Sequence, residues 1–383
     1  MTASQSLLWG GNTSDIVYEE DLLYLKDQLI TYIGNKRALL STIDNAVRMV
    51  QERLGRNKLS FVDMFAGSGV VSRAFKRNAS TLWANDLEEY SVVSLRCYLA
   101  NRDDIDSDSL EQSWQLVRSE ADSESVQDGI IRRLYAPKAD DDVQPQDRCF
   151  YTVNNAIRID SARCAIEKLP RDHKNFLLGP LLSEASIKTN TSGVFKGFYK
   201  DKETGIGQFG GTGRNALARI LSRIEINRPV LSRFQCETVV TQLDANALAR
   251  DIPPHDIAYI DPPYNQHPYG SNYFMLNLIS RYEEPSQVSR VSGIPVDWNR
   301  SEYNFPDRAL SALQQLVEDI PAKYLLISYS SEGFISLAQM EALLASVGSF
   351  DVVKTQYNTF RGCRNLKDRP KHLTEFLFIV EKN

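Results

Sequence analysis

The stretch SFVDMFAGSGVV, residues 60–71, predicts a buried strand, a glycine turn and the start of a helix that continues through Phe75. Gly67 and Gly69 let a ligand approach the backbone, and the free N–H groups at a helix start attract a carboxylate or phosphate. A second strand ends at Asp86, about twenty residues past the glycines, a usual distance for an acid that binds ribose hydroxyls. The pattern predicts the first half of a doubly wound α/β sheet with a nucleotide-like cofactor.

Dehydrogenases share such a glycine turn, but this one departs from their dinucleotide fingerprint. The third position of the fingerprint is glycine or alanine, and here it is Ser72. The sequence therefore favours a cofactor other than NAD.

The tetrapeptide Asp261-Pro262-Pro263-Tyr264 directly follows the apolar run 257–260. The carboxylate of Asp261 and the carbonyl of Pro262 can both accept hydrogen bonds from an exocyclic amine, because the prolines fix the backbone. Tyr264 can stack on a flat ring. Asp and Pro are also ordinary turn residues, so for the tetrapeptide alone a plain strand-to-turn interpretation stays open.

Together the two motifs resemble the Dam-type S-adenosylmethionine-dependent DNA adenine-N6 methyltransferase family, in which the glycine motif precedes the D-P-P-Y motif. Residues 32–37, YIGNKR, are similar to its Y-x-G-x-K segment. Residues 192–197 and 207–211 resemble its DNA-contacting insert. The resemblance covers residues 25–383 and is looser between residues 99 and 187.

The resemblance implies a Rossmann-like class I methyltransferase sheet, mostly parallel with an antiparallel C-terminal edge strand, and an inserted target-recognition domain. Residues 1–100 and 236–383 would form the catalytic domain, and residues 101–235 the DNA target-recognition region. The cofactor would be S-adenosylmethionine. The implied site residues are, for catalysis, Asp261, Pro262, Pro263 and Tyr264; for the cofactor, Tyr32, Lys36, Asp63, Phe65, Ala66, Gly67, Gly69, Asp86 and Asp244; and for DNA, Lys196, Lys200, Gln208, Phe209, Arg214, Arg361 and Arg364. Asp244 could equally be a helix cap.

Charge is distributed unevenly along the chain, whose formal net charge is −5. Residues 103–147 are strongly acidic, whereas residues 188–233 and 354–371 are basic. Such asymmetry predicts a surface that faces a polyanion, although a charge run is often only a solvated face. The glycines of residues 205–213 favour a loop that enters a DNA groove, where Gln208 could read a base edge and Phe209 could wedge between bases.

Composition is that of a globular protein of 383 residues with 42% hydrophobic residues. We expect no membrane span, no secretion signal and a cytoplasmic, nucleoid-associated protein of bacterial or phage origin. The five cysteines are scattered without a C-x-x-C pair, which predicts reduced thiols and no metal site.

Hydrophobic patterns predict further elements around the motifs. Helices are expected at residues 36–55, 88–100 and 336–347. Strands are expected at residues 236–240 and 324–330, and residues 350–357 and 374–381 are expected to form an antiparallel hairpin at the sheet edge.

The sequence thus predicts a site-specific methyltransferase that acts on the N6 amine of an adenine flipped out of double-stranded DNA. It would belong to a restriction-modification system or a phage, and any cognate restriction endonuclease would act separately. Alternatives are a cytosine-N4, RNA or protein-amide methyltransferase, a catalytically silent DNA-binding module, and a dinucleotide-dependent dehydrogenase. The recognition sequence and the oligomeric state do not follow from the sequence.

Overall fold

The computed structural model describes residues 20–358 and 372–383. Within these residues seven strands form one sheet. They are β1 Leu59–Asp63, β2 Ala79–Asn85, β3 Glu237–Thr241, β4 His255–Ile260, β5 Ala322–Ser330, β6 Gly348–Asn358 and β7 His372–Lys382.

Helices of the described residues cover both faces of this sheet and form a further helical layer beside it. They are α1 Leu22–Lys26, α2 Leu40–Leu54, α3 Val70–Phe75, α4 Glu89–Tyr98, α5 Ser107–Asp122, α6 Ile130–Tyr135, α7 Val153–Glu167, α8 Arg171–Lys188, α9 Leu217–Leu221, α10 Ala245–Asp251, α11 Tyr269–Asn272, α12 Phe274–Arg281, α13 Ala309–Asp319 and α14 Leu337–Val347. Short 3-10 turns lie at Arg37–Leu39, Lys76–Asn78, Arg102–Asp104 and Glu302–Asn304.

The strand order is β3-β2-β1-β4-β5-β7-β6. The first five strands in this order pair in parallel, whereas β7 runs antiparallel to both β5 and β6. The prediction of a mostly parallel α/β sheet with antiparallel C-terminal strands is confirmed. In detail, β7 is inserted beside β5 and its hairpin partner β6 forms the edge.

Alternate residues of the central strands fill two separate cores, as the two-residue period of a strand requires. Val62, Ala258 and Leu325 lie on one face and pack with α10, α13 and α14. Phe61 and Ile257 lie on the other face, where α2 and α3 cover them. Both faces are buried, which is the usual condition of a parallel sheet.

Helices α5 to α8 form a third core that packs on α4 and α12. This core joins residues from the predicted insert to residues on both sides of it, such as Tyr90 before it and Phe274 after it. The helices of the predicted insert are therefore packed against α4 and α12, whereas residues 189–235 contain only the short helix α9. The exact boundaries of the predicted domains stay a prediction.

The elements expected from hydrophobic periodicity are found with shifts of a few residues. The helix expected from residue 36 begins at Leu40, after a 3-10 turn, and ends at Leu54, where Gly55 follows in the left-handed conformation. The helix expected from residue 336 begins at Leu337, because Ser336 caps it in a capping box with Gln339. Its side-chain oxygen accepts a hydrogen bond from the Gln339 N–H.

Candidate active site

The candidate site lies at the carboxyl ends of β1 and β4, which are adjacent parallel strands. Asp63 is the last residue of β1, and Asp261 directly follows β4. Parallel neighbours end at the same edge of a sheet, so the glycine turn after β1 and the D-P-P-Y turn after β4 meet there. This edge is where ligands bind in open α/β sheets.

Asp86 holds the glycine turn in shape. Its Oδ2 accepts a hydrogen bond from the Gly67 N–H at 2.7 Å, and its Oδ1 accepts one from the Glu88 N–H at 2.9 Å. Gly67 and Gly69 have φ of 53° and 74°, a region that favours glycine. A Cβ on Gly67 would lie 3.1 Å from the Tyr32 ring. The turn therefore needs glycine for both its conformation and its close contact with Tyr32.

Asp63 is fully buried beneath the turn. Ser72 Oγ donates a hydrogen bond to its Oδ2 at 2.6 Å, whereas its Oδ1 is buried without a hydrogen-bond partner among the described residues. Burial raises the pKa of Asp63 to about 7, although the Ser72 hydrogen bond opposes the shift. An unpaired buried carboxylate oxygen is costly, and it is suited to accept a hydrogen bond from a ligand.

Lys36 connects this region to the D-P-P-Y turn. Its Nζ lies 3.1 Å from Asp261 Oδ1 and 3.6 Å from Glu375 Oε2, and the side chain is almost completely buried. Burial alone would lower the pKa of Lys36, but Asp261 and Glu375 raise it well above its usual value. Burial raises the pKa of Asp261 to about 6, and Lys36 opposes that shift. The site thus holds a charged lysine between two carboxylates.

The rest of the D-P-P-Y turn is fixed by its neighbours. The carbonyl of Tyr264 accepts a hydrogen bond from the Phe334 N–H at 3.2 Å, and the Tyr264 ring meets Tyr329 edge to face. Pro262 is buried and Pro263 is half-buried. A rigid turn presents the Asp261 carboxylate, whose side chain is 17% exposed, to the cleft.

A stack of tyrosines covers one side of the cleft. The Tyr32 ring lies 4.9 Å from the rings of both Tyr269 and Tyr273, nearly parallel to each. The hydroxyl of Tyr273 accepts a hydrogen bond from the Ile33 N–H at 2.7 Å. The segment around Tyr32 is therefore bound to the segment that follows D-P-P-Y.

One cleft, open to solvent, joins these parts. Of the predicted site residues it is lined by Tyr32, Lys36, Asp63, Phe65, Ala66, Gly67, Asp86, Asp244, Asp261 and Pro263. Asp244 also caps α10, because its Oδ1 accepts hydrogen bonds from the Asn246 and Ala247 N–H groups at 3.0 Å. Both interpretations of Asp244 are therefore compatible with its position.

Several lining residues were not predicted from the sequence. They are Glu88, Asn299, Ser301 and Asn304, among others. Asn304 Nδ2 donates to the carbonyl of Asn265 at 2.8 Å, so the turn at residues 301–304 supports the segment after D-P-P-Y. The Ser-x-x-Asn spacing of its capping box was a usable signal for this turn, but not for its place beside the cleft.

The predicted DNA-contacting residues occupy different environments. Lys196, Lys200 and Arg214 are exposed. Lys196 Nζ lies 3.3 Å from His267 Nδ1, three residues past Tyr264, so the insert touches the D-P-P-Y segment. Gln208 is half-buried.

Phe209 requires a correction. Phe209 is only 8% exposed, and its ring packs in a small core with Cys149 and Ile220. This position corrects the prediction that its ring wedges between bases, because a buried ring offers no face to DNA. Arg361 and Arg364 lie outside the described residues.

No group of three or more His, Cys, Asp or Glu side chains in residues 20–358 and 372–383 is arranged to hold a metal ion. Across the same residues, no helix combines the length and the apolar character that a membrane crossing requires.

Comparison with known proteins adds a family match. A model of the D12 class N6 adenine-specific DNA methyltransferase family matches residues 32–295. The chain is 28% identical to the type II methyltransferase M.NlaIII of Neisseria lactamica, over 92% of this chain and 99% of that protein. It is 29% identical to the type II methyltransferase M.CviAII of Paramecium bursaria Chlorella virus 1, over 92% and 98%. It is 27% identical to the modification methylase StsI of Streptococcus sanguinis, over 92% of this chain and 52% of that protein.

Proposed function

Because the chain belongs to the D12 class N6 adenine-specific DNA methyltransferase family and is an adenine-specific DNA methyltransferase, we propose that it uses S-adenosylmethionine to methylate an adenine rotated out of double-stranded DNA. The observation that carries this proposal is the cleft shared by the glycine turn and the D-P-P-Y turn. One end of the cleft suits a nucleoside cofactor, and the other end suits a flat base that carries an amine.

The residues at the glycine end fit S-adenosylmethionine. The unpartnered Asp63 Oδ1 can accept a hydrogen bond from a cationic ligand group, and Gly67 leaves room beside the Tyr32 ring. Asp86 lines the same space and keeps lone pairs available for ribose hydroxyls, since each carboxylate oxygen can accept more than one hydrogen bond. When bound, S-adenosylmethionine supplies an electrophilic methyl group.

At the other end, Asp261 and the Pro262 carbonyl would accept hydrogen bonds from the two N6 hydrogens of adenine. The lone pair of this nitrogen is delocalised into the ring, and such hydrogen bonds favour a pyramidal nitrogen with a localised lone pair. N6 becomes transiently positive before it loses a proton, so the Asp261 carboxylate also stabilises the developing charge. Tyr264 would stack on the ring.

An adenine inside a duplex cannot reach this cleft, so the base must leave the helix, at a cost of a few kcal/mol. Contacts with phosphates at Lys196, Lys200 and Arg214 would offset that cost. Because the relatives include type II methyltransferases and a modification methylase, we propose a role in a restriction-modification system, with any endonuclease acting separately. Such a substrate would place the enzyme with bacterial genomic DNA in the cytoplasm.

The test is transfer of a radiolabelled methyl group from S-adenosylmethionine to duplex DNA, followed by digestion and identification of the labelled base. We expect N6-methyladenine from the wild-type protein and none from Asp261→Ala. Modification-sensitive sequencing of DNA from an expressing host should then show methylation confined to one short motif. Label on cytosine, on RNA only, or on no nucleic acid would overturn the proposal.

A further inference from the structure

Glu375 lies on β7, opposite Ser330 of β5 and Thr355 of β6. The residue is 7% exposed, and its Oε2 has no hydrogen-bond partner among the described residues. The charged group nearest to this oxygen is the Lys36 ammonium at 3.6 Å. An acid is unusual at a buried position of an inner strand, because burying a charge is costly unless it is paired.

Glu375 is not among the described residues that line the cleft, whereas Lys36 and Asp261 both are. Glu375 therefore does not contact a ligand in the cleft, and it acts by its charge and by its contact with Lys36. The ammonium lies 3.1 Å from Asp261 Oδ1 and 3.6 Å from Glu375 Oε2, so the two carboxylates share one cation.

We propose that Glu375 is a positioning residue for methyl transfer: it shares the Lys36 ammonium with Asp261 and leaves the buried cluster with a net charge of −1 facing N6. This inference rests on the function proposed above. It assigns a role in the reaction to a residue of β7, far in sequence from both motifs.

Glu375 changes the net charge of the buried cluster. Without Glu375, Lys36 and Asp261 would form a neutral pair, and the ammonium would compete with the adenine amine for the same carboxylate oxygens. With Glu375 present, the three groups sum to −1, and a negative cluster in a site of low dielectric stabilises the positive charge that develops on N6. Lys36 still prevents the two carboxylates from repelling each other at full strength.

Other titratable groups around Asp261 and Glu375 do not replace this effect. Asp63, at the end of β1, is held by Ser72, and burial raises the pKa values of Tyr259 and Tyr269 well above their usual range, which keeps both neutral. The Tyr264 ring also lies beside Lys36, with its centroid 5.7 Å from the ammonium. On β6, Lys354 pairs in register with Phe376, the neighbour of Glu375, and so lies on the opposite face of the sheet.

The test compares Glu375→Gln with the wild-type enzyme. We expect the single-turnover methylation rate to fall about tenfold, while the KM for S-adenosylmethionine and for DNA stays unchanged. Glu375 raises the pKa of Asp261. The acid limb of kcat/KM against pH should therefore move to lower pH in the variant. A slower enzyme that stays active at lower pH is not the result of a merely structural defect.

The matched control is Glu381→Gln on the same strand, where the acid is partly exposed and pairs with Arg53. Its rate and pH profile should equal those of the wild type. Unchanged kinetics in Glu375→Gln, or the same change in both variants, would overturn the inference.

If Glu375→Gln does not fold, as judged by circular dichroism, Glu375→Asp replaces it. The shorter side chain withdraws the carboxylate from Lys36, so a partial loss of rate and a smaller pH shift support the inference, and wild-type values refute it. Absence of methyl transfer by the wild type would instead refute the proposed function.

Discussion

At the scale of single residues, the site depends on carboxylates whose burial changes their chemistry. Burial raises the pKa of Asp63 to about 7 and that of Asp261 to about 6. Perturbed acids of this kind are typical of functional sites. Asp261 makes the methylation rate depend on pH, and Asp63 makes the stability of the fold depend on pH.

Asp261 makes the reaction depend on pH. Only the ionised carboxylate can both accept from the amine and stabilise positive charge, so we expect activity to fall as the pH drops through about 6. Asp261→Asn should lower the methylation rate about 10²- to 10³-fold. It should leave binding of S-adenosylmethionine measurable by calorimetry. A variant as fast as the wild type would contradict the catalytic assignment.

Asp63 makes stability depend on pH. Its folded-state pKa of about 7 lies above the ordinary value of 3.8. Below both values the proton is bound in both states, so nothing is lost. As the pH rises from about 4 to 7 the unfolded chain releases its proton first, and the folded protein loses stability until the effect is complete above 7.

Asp63→Asn removes this loss, because a neutral amide does not ionise and its oxygen can still accept from Ser72. We expect the variant to melt several degrees higher than the wild type at pH 8, and at nearly the same temperature at pH 4.

Asp63→Asn should also weaken S-adenosylmethionine binding at least tenfold if Asp63 Oδ1 accepts a hydrogen bond from the cofactor, because the bond to a charged acceptor is lost. Equal affinity would remove Asp63 from the cofactor site.

At the scale of elements, the glycine turn between β1 and α3 depends on a backbone conformation that favours glycine. Gly67→Ala places a methyl group in a left-handed residue and against the Tyr32 ring. Gly55→Ala, at the end of α2, imposes a similar backbone strain with no atom within 4 Å of the new Cβ. Each should cost about 1 kcal/mol of stability.

Only Gly67→Ala should also reduce the affinity for S-adenosylmethionine, by about tenfold, because only that Cβ changes the cleft. Thermal melting of the two variants measures the cost of backbone strain, and calorimetry measures whether the new methyl group also reduces the affinity for S-adenosylmethionine. Equal affinities in both would show that the turn does not approach the cofactor.

The main elements of the sheet were predictable because their hydrophobic runs and turn residues are local signals. The strands beside Asp63 and Asp261 follow directly from such runs. The turn at residues 301–304 was not predicted as part of the site, because its place beside Asn265 depends on tertiary packing. Phe209 was misjudged for a related reason. Glycines around an aromatic residue indicate a loop, but not whether the loop folds back over its own ring.

At the scale of the whole molecule, the two charged stretches of the insert are partly paired with each other, because Arg223 contacts Asp122 and Arg228 contacts Glu111. The exposed Lys196 instead reaches His267 of the segment that follows D-P-P-Y. DNA that enters the cleft would meet this surface first. Its binding should therefore depend strongly on salt.

Lys196→Ala and Arg214→Ala should each weaken DNA binding and reduce the slope of log affinity against log salt by about 1, if each base contacts one phosphate. Lys323→Ala is the matched control, because Lys323 is exposed at the amino end of β5, the sheet edge opposite Asp261. Fluorescence anisotropy at several salt concentrations measures the slopes. A control variant with the same loss would place the DNA surface elsewhere.

The position of β3 and β4 in the chain has a consequence for biosynthesis. β2 leaves the ribosome ~150 residues before its partner β3, and at ordinary translation speeds the gap lasts roughly 10–30 s. During that time the nascent chain carries β1 and β2 with both outer edges unpaired, and unpaired edges invite aggregation. The early folding of α5 to α8 against α4 would shield only the flank of this half-built sheet. We therefore expect the newly made protein to need chaperone protection until β3 and β4 emerge.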